Sequence, residues 1–563
     1  MFNKILQFTM AAAILATPAL AGAATIQLPD TNQTTCFNAG GGQQDCAAQP
    51  GGQDGQTLTG VAWPDPRYTD NLDGTVTDNL TGLVWSKHAN APNRAAPGPA
   101  QNACTPFEAD MTWQQALDFI GCLNTSGFAG FNDWRLPNLN ELEGMVNAEA
   151  ADSSLFLNNS FGFPGEAATQ VQNSEYWTST SDVDAPASAW AVSLVEGDFP
   201  ASTPKNNVNF TSGVWPVRGV STAPAQLWRT GQTVCFDEAG ISRACAGTGE
   251  DGEKLAGAAW PALRFQMDAG ATIAADRLTG LMWPTDTQTP GPAGVCNTGV
   301  DVSWQGALDH VACLNQNNFL GRADWRVPNR KELRSLIDYS QTGPALPAGH
   351  PFATVGFGGF FWSSTTDASN PARAWTINML DGSINGLNKT AAGNVSPVWP
   401  VSGPDVTAPA LTMAAVASPT RLASLTVSGT VEAGTTPTVT VTAPATAGAV
   451  SVTGGNWSCQ ISGMTEGVNT VTVSAGDLAG NVATVTAAVT VNLPTGGFTP
   501  GAAVTVMDAL KALRMAVGLI PAPAAGSAEL LHVDVAPLGA PDGVINTADA
   551  LLILKKAVGL VSF

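Results

Sequence analysis

The stretch that decides the fold is Asp133-Trp134-Arg135-Leu136-Pro137-Asn138, which returns as Asp324-Trp325-Arg326-Val327-Pro328-Asn329. Similar sequence surrounds both copies. The flanking segments that match are residues 112–117 and 303–308, 176–180 and 361–365, and 214–217 and 398–401. Repetition over this length indicates two copies of one domain, which we place at residues 25–219 (module 1) and 228–403 (module 2).

Each repeated stretch ends in a helix start signal. An asparagine follows a proline, which disfavours an earlier start, and a glutamate stands three positions later, at the spacing of a capping box. The capping pairs are Asn138 with Glu141 and Asn329 with Glu332. Short helices are therefore predicted to begin at Leu139 and Arg330. The tryptophan of each repeat is interpreted as a core residue, and the arginine as an internal hydrogen-bonding hub.

Composition limits the class of protein. A chain of 563 residues is too long for one core, so several domains are expected. The net charge of −21 disfavours nucleic acid, whose phosphates require a basic footprint. Residues 1–23 have the short apolar stretch and small-residue cleavage site of a secretory signal peptide. No later stretch reaches the roughly 20 apolar residues of a membrane span, so we expect a secreted or cell-surface protein without a transmembrane segment.

Nine cysteines divide into four pairs and one remainder. Each module has one pair separated by ten residues and a second pair around its tryptophan-led helix, and matched pairs in an exported chain predict disulfides. The pairs are Cys36 with Cys46, Cys104 with Cys122, Cys235 with Cys245, and Cys296 with Cys313. A zinc site is the alternative, but the chain has no CxxC motif to support it. Cys459 remains and is predicted to be a buried free thiol.

The repeated motifs carry a family resemblance. The signatures are DGTVTDNLTGLVW at residues 73–85, WQQAL at 113–117, DWRLPN at 133–138 and WTST at 177–180, each with a counterpart in module 2. Together they resemble the DUF1566 family, also called the Lcl C-terminal domain. The resemblance implies an exported α+β domain related to C-type-lectin-like folds, and a role in adhesion. Binding to sulfated polymers, which is associated with an adhesin of this family, is not carried over because this chain is acidic.

Residues 410–493 are predicted to form an all-β sandwich. Apolar residues alternate with threonine and serine, and glycine or proline interrupts the pattern about every ten residues. The region resembles bacterial Ig-like domains. No chemistry is evident in it, so we interpret it as a spacer.

Residues 498–563 contain a smaller repeat of two amphipathic helices, each beginning near an Asp-Ala-Leu sequence. Before the second helix, oxygen donors follow the order of an EF-type calcium loop with four additional residues. The predicted ligands are Asp534, Asp542, the Val544 carbonyl, Asn546 and Asp549. The tail resembles a dockerin with one calcium site, and its first half, which lacks acids before Asp508, is predicted to be metal-free.

These features lead to an exported adhesion or binding protein. Two lectin-like heads would bind a surface ligand such as a glycan, with avidity from two copies, and the tail would attach to a cohesin-like or other surface protein. No catalytic residues are assigned. The alternatives are a structural envelope or matrix component and a polysaccharide-acting hydrolase. Exposed tryptophans would serve the heads as stacking platforms. Trp177, Trp190, Trp362 and Trp375 are considered for this, but a core role is favoured for each of them.

Overall fold

A computed structural model describes most of the chain after the N-terminal 25 residues. The residues it describes are 26–48, 52–89, 104, 110–160, 171, 175–199, 201–206, 212–222, 224–288, 295–296, 300, 302–353, 355, 359–390, 394–499 and 501–563. The predicted signal peptide lies outside them. The chain divides into two compact units, residues 1–406 and 407–563. Within the described residues, no helix has the length and hydrophobicity to cross a membrane.

Module 1 is an α+β domain with disulfides. Its strands form a two-stranded ladder (β1-β2), a four-stranded sheet in the order β11-β5-β4-β3, and a five-stranded sheet in the order β6-β10-β7-β8-β9. The elements are β1 (Cys36–Phe37), β2 (Gln43–Gln44), α1 (Asp54–Thr57), β3 (Tyr68–Asp70), β4 (Thr75–Asp78), β5 (Val84–Ser86), β6 (Asp110–Met111), α2 (Trp113–Ser126), α3 (Leu139–Glu143), α4 (Ser153–Ser160), β7 (Glu175–Ser181), β8 (Ser188–Ser193), β9 (Thr203–Pro204), β10 (Ser212–Gly213) and β11 (Val217–Arg218).

Module 2 repeats this plan with smaller sheets, β12-β13, β14-β15-β16 and β17-β18-β19. Its elements are β12 (Cys235–Phe236), β13 (Ser242–Arg243), α5 (Asp251–Lys254), β14 (Phe265–Met267), β15 (Ile273–Asp276), β16 (Met282–Pro284), α6 (Trp304–Gln316), α7 (Arg330–Ser335), β17 (Phe360–Thr366), β18 (Arg373–Asn378) and β19 (Ile384–Asn388).

The second unit consists of two three-stranded antiparallel sheets and three helices. The sheet orders are β20-β23-β22 and β21-β24-β25. The elements are β20 (Leu425–Thr430), β21 (Thr438–Val441), β22 (Thr446–Thr453), β23 (Asn456–Ser462), β24 (Gly467–Gly476), β25 (Val482–Val491), α8 (Val506–Ala516), α9 (Ala528–Val533) and α10 (Thr547–Ala557). Trp457, Cys459 and Ile461 point into the core between the sheets.

The local signals of the repeated stretch act as predicted. Helices α3 and α7 begin at Leu139 and Arg330, and complete capping boxes close both N-termini. The glutamate of each box also accepts a two-pronged ion pair from the repeated arginine, as Arg135 with Glu141 and Arg326 with Glu332. Each arginine is therefore the internal hub expected for it. All four predicted cysteine pairs form disulfides, and Cys459 is a buried free thiol.

The two modules pack around one continuous core rather than standing apart. The core cluster contains Trp85 and Trp215 of module 1 together with Trp283 and Trp399 of module 2. The ring centroids of Trp190 and Tyr339, which belong to different modules, are 5.9 Å apart. We call this joint body of residues 26–406 the head.

The disulfide-bonded segment at the start of each module docks on the other module. We call these segments clip 1 (residues 26–62) and clip 2 (residues 228–258). The Gln33 amide in clip 1 exchanges two 2.8 Å hydrogen bonds with the backbone of Thr366 in β17. The Gln232 amide in clip 2 makes the matching bonds to the backbone of Ser181 in β7. The crossed arrangement ties the modules together at two symmetric places.

A buried aspartate anchors each clip. Asp54 accepts hydrogen bonds from the hydroxyls of Thr31 in its own clip and Thr365 in module 2. Asp251 is bonded in the same way by Thr230 and by Thr180 of module 1. Burial raises the pKa of Asp54 to about 7 and that of Asp251 to about 6. The hydrogen bonds from the threonine hydroxyls lower both pKa values, but burial has the larger effect.

These raised pKa values predict a head that loses stability as pH rises. In the unfolded chain an aspartate titrates near pH 4, so between about pH 4 and 7 the folded head binds more protons than the unfolded chain, and the free energy of unfolding falls across that window. Asp54→Asn should flatten this part of the profile, because the amide keeps an acceptor for the threonines without a buried charge. Urea unfolding of both proteins at pH 4.5 and 7.5 checks this, and equal pH slopes for the two would contradict it.

A single carboxylate lies among three cations where α3 meets α7. Glu143 forms ion pairs with Arg334 at 2.5 Å and Arg330 at 3.2 Å, and the nearby Lys331 ammonium is buried without a hydrogen-bond partner. Burial opposes ionisation of Glu143, but Arg334, Lys331 and Arg330 together hold its pKa below the usual range. The Asn140 amide oxygen accepts a further bond from Arg334. Glu143 and Arg334 are equivalent positions of the repeat, so the two copies are charge-complementary at their interface.

Candidate metal centre and head surface

The tail brings three aspartates together. Asp534 follows α9, Asp542 lies in the loop that leads to α10, and Asp549 is in the first turn of α10. One carboxylate oxygen from each lies within 4.8 Å of the others, and no other such group of three or more potential ligands occurs in the described part of the chain. Asp534 and Asp549 are fully buried.

Two of the three carboxylates in this cluster, those of Asp549 and Asp542, accept hydrogen bonds from nearby groups of the protein. Asp549 accepts the backbone N–H groups of Val535, Ala536 and Asn546, so it closes the loop and caps α10. Asp542 accepts hydrogen bonds from the Val544 N–H and from the side-chain amide of Asn546. These bonds hold the loop closed with its carboxylates close together.

The remaining two predicted ligands contribute differently. The Asn546 side-chain oxygen caps the helix by accepting the Ala548 N–H. The Val544 side chain is 61% exposed, and its backbone carbonyl is the predicted donor. The structure thus brings together the three acidic members of the predicted set.

Asp534 carries the observation that favours a cation. Its Oδ2 accepts 2.7 Å bonds from the Gly543 N–H and the Arg421 guanidinium, whereas its Oδ1 is buried without a partner. An unpaired buried carboxylate oxygen is costly. Burial and the neighbouring Asp534 also raise the pKa of Asp549, against its backbone hydrogen bonds. Oxygen donors of this kind fit calcium, which would relieve both effects.

The four tryptophans considered as stacking platforms are buried. Trp177, Trp190, Trp362 and Trp375 are at most 3% exposed, which confirms the core role favoured for them and removes them as platforms. Their indole rings lie in the cores because β7, β8, β17 and β18 have runs of consecutive buried residues and are therefore covered on both faces. Two other tryptophans, Trp63 and Trp260, are partly exposed, and they are the only ones of the 16 that are not buried.

Trp63 and Trp260 occupy equivalent positions, each just after a clip. A buried arginine lies against each ring, with the Arg67 guanidinium carbon 3.8 Å from the Trp63 centroid and that of Arg264 4.6 Å from the Trp260 centroid. Each indole N–H donates to a backbone carbonyl, that of Asp30 or Arg229. Both rings are therefore fixed in orientation at the surface of the head.

A pair of buried lysines was not foreseen. The Lys205 ammonium lies 4.2 Å from the centroid of the Trp113 ring and donates a hydrogen bond to the Phe236 carbonyl of clip 2. The Lys389 ammonium lies 3.9 Å from the centroid of the Trp304 ring and donates a hydrogen bond to the Thr366 hydroxyl. Burial lowers the pKa of Lys205 to about 8 and that of Lys389 to about 7. The recurrence of a lysine late in each module was the available signal. Lys205 fastens clip 2, and Lys389 holds the strand on which clip 1 docks.

Comparison with protein families supports the tandem organisation. Residues 74–218 and 272–402 both match the Lcl C-terminal domain, which confirms that one domain type occurs twice. Residues 409–493 match domain B of glucodextranase, in keeping with an Ig-like domain at this place. Comparisons with curated proteins and with solved structures give no match.

Proposed function

We propose that this chain is an exported binding protein whose head recognises carbohydrate on a surface and whose tail attaches to a partner protein. The head would be lectin-like, the Ig-like domain would act as a spacer, and the dockerin-like tail would be stabilised by calcium bound at Asp534, Asp542 and Asp549. The secreted location fits the four disulfides, which form in oxidising compartments.

The observation that carries the proposal is that the head buries all of its tryptophans except Trp63 and Trp260, which leaves these two rings as the candidates for a sugar platform. An indole presents a broad apolar face with a polar edge, which suits the apolar face of a sugar ring. Each indole is held by a backbone hydrogen bond and backed by an arginine. A ring that is already fixed loses little conformational entropy when a ligand binds, so such a ring is suited to recognition.

The tail supports attachment to another protein. Helices α8 and α10 expose equivalent leucines, Leu510 with Leu551 and Leu513 with Leu554. A groove of about 320 Å³ lies between them. Apolar side chains grouped in this way on a small domain are typical of a protein-binding surface. We expect the occupant to be a cohesin-like or other surface-bound protein with a complementary apolar face.

The proposal predicts that the full chain binds a defined class of glycan and that Trp63→Ala/Trp260→Ala weakens this binding at least tenfold. Loss of one buried aromatic contact costs about 1.5–3 kcal/mol, and about 1.4 kcal/mol corresponds to tenfold. The measurement is a glycan array, followed by titration of the best ligand. Leu72→Ala, at an apolar residue 88% exposed elsewhere on module 1, is the control that should leave binding unchanged. A folded chain that binds no glycan would refute the proposed function.

A further inference from the structure

A cavity of about 400 Å³ opens beside Trp260 in module 2. Its lining includes Gly231, Arg264, Phe265, Asp338 and Gly349. The volume is in the range of small-molecule sites, and the lining combines an aromatic surface with a few polar groups, as such sites usually do.

A difference between the two copies shapes the wall of this cavity. Gly231 has a φ of +92°, and a Cβ placed there would lie 2.1 Å from the Asp338 carboxylate and 2.8 Å from the Trp260 ring. The equivalent residue in module 1 is Asn32, whose side-chain amide donates a 3.1 Å hydrogen bond to Asn147, the equivalent of Asp338. Glycine thus lets the Asp338 carboxylate and the Trp260 ring pack against the backbone at residue 231 as part of the cavity wall. In module 1 the Asn32 side chain occupies this place and bonds to Asn147.

The aromatic surroundings of Trp63 and Trp260 also differ between the two modules. In module 1 the Phe156 ring packs against Trp63 with centroids 5.9 Å apart. In module 2 the segment before Gly349 supplies Pro347 and Ala348 to the cavity wall instead. Trp260 consequently borders an open cavity, whereas Trp63 is covered in part by a second ring.

The polar groups of the cavity define what it would bind. Asp338 is buried, and its Oδ1 accepts bonds from the N–H and hydroxyl of Ser340. Arg264 is neutralised by a bidentate pair with Asp276, while its Nη1 is buried without a partner. The site thus offers a carboxylate acceptor and a guanidinium donor without excess positive charge. Neutral hydroxyl-bearing rings match this set, whereas acidic sugars would be repelled by Asp338 and by the net charge of −21.

We propose that the Trp260 cavity is the saccharide subsite of the head and binds one ring of a neutral sugar, with one such site in each chain. Trp260 stacks on the apolar face of the ring, and Asp338 and Arg264 hydrogen-bond its hydroxyls. This assignment rests on the proposed carbohydrate recognition and adds the location, the sugar class and the single site.

The test compares the full chain with variants on an array that carries both neutral glycans and sulfated or uronic acid glycans. Gly231→Asn/Asp338→Asn copies the module 1 residues into module 2, and it should lower binding to neutral glycans at least tenfold. Trp260→Ala, at a partly exposed ring, should do the same. Leu72→Ala, at an exposed residue away from both rings, is the control and should keep binding within about twofold of the parent. Trp63→Ala shows which of the two exposed rings is used, and it should lower binding far less than Trp260→Ala. Thermal melting verifies that each variant is folded, and Trp260→Ala decides the question if the double variant is not.

Each outcome separates the subsite from the proposed function. Neutral-glycan binding that is retained by folded Trp260→Ala, or lost equally in Trp63→Ala, would overturn the subsite and leave carbohydrate recognition standing. Binding confined to sulfated or uronic acid glycans would overturn the neutral-sugar assignment. A parent chain that binds nothing would overturn both proposals.

Discussion

Replacing Glu143 by glutamine should lower the free energy of unfolding of the head by about 3–5 kcal/mol. The amide has the same shape but no charge, so Arg330, Arg334 and Lys331 would stay buried without the carboxylate that acts on them most strongly. Removing one partner from a buried ion pair is costly because the remaining charge stays desolvated. Two buried arginines pair directly with this carboxylate, so the loss should be at the upper end for a single substitution.

Urea unfolding followed by tryptophan fluorescence measures this effect, since all tryptophans except Trp457 lie in the head. The control is Asp133→Asn, which removes a partner from the 2.7 Å ion pair with Arg218 at the surface of the same module. Exposed pairs contribute about 0–1 kcal/mol, so this variant should unfold almost as the parent does. Equal stabilities of the two variants would show that the Glu143 cluster does not hold the modules together.

Calcium at a hundred times its dissociation constant should stabilise the folded tail by about 2.7 kcal/mol, provided that the unfolded chain does not bind it. The reason is the Asp534 Oδ1, which is buried without a partner beside two further carboxylates. Asp534→Asn should abolish the response by removing this charge from the site. Calorimetric titration of the full chain with calcium and melting curves with calcium or chelator provide the measurements.

Two further variants sharpen the calcium prediction. Asp508→Asn alters the equivalent helix cap in the first half of the tail, where Asp508 bonds Thr505, and it should leave the calcium response intact. Arg421→Gln should tighten calcium binding. In the parent chain the Arg421 guanidinium pairs with Asp534 at 2.7 Å, and its positive charge repels a cation bound at the same carboxylate. Calcium binding that persists in Asp534→Asn, or that disappears in Asp508→Asn, would contradict the assigned site.

Local chemistry explains which features could be predicted from the sequence. The capping boxes, the disulfide pairs and the arginine hubs depend on residues close in the chain and recur in both modules, so spacing was sufficient. Clustering of Asp534, Asp542 and Asp549 followed from the order of donors in a loop. These features need no knowledge of how the modules pack.

The features that were missed depend on long-range packing. Gln33 and Thr366 are 333 positions apart, and nothing near Gln33 indicates that its partner belongs to the other module. The burial of Trp190 depends partly on Tyr339 of module 2. Other signals were present only where equivalent positions of the two modules differ. Module 1 has Glu143 where module 2 has Arg334, and this difference identifies the charged interface. Module 1 has Asn32 where module 2 has Gly231, and this difference identifies the cavity. Repeats attract attention to what they share, whereas here their differences carry the interface and the candidate ligand site.

The central claim is that the tandem repeat forms one head with one open sugar site. The most direct measurement is the stoichiometry of a neutral glycan selected on the array, titrated calorimetrically into the full chain. The account predicts one glycan per chain, because Asn32 and Phe156 take up the equivalent space in module 1. Two equivalent glycans per chain would contradict it and would restore the expectation of two independent lectin-like heads.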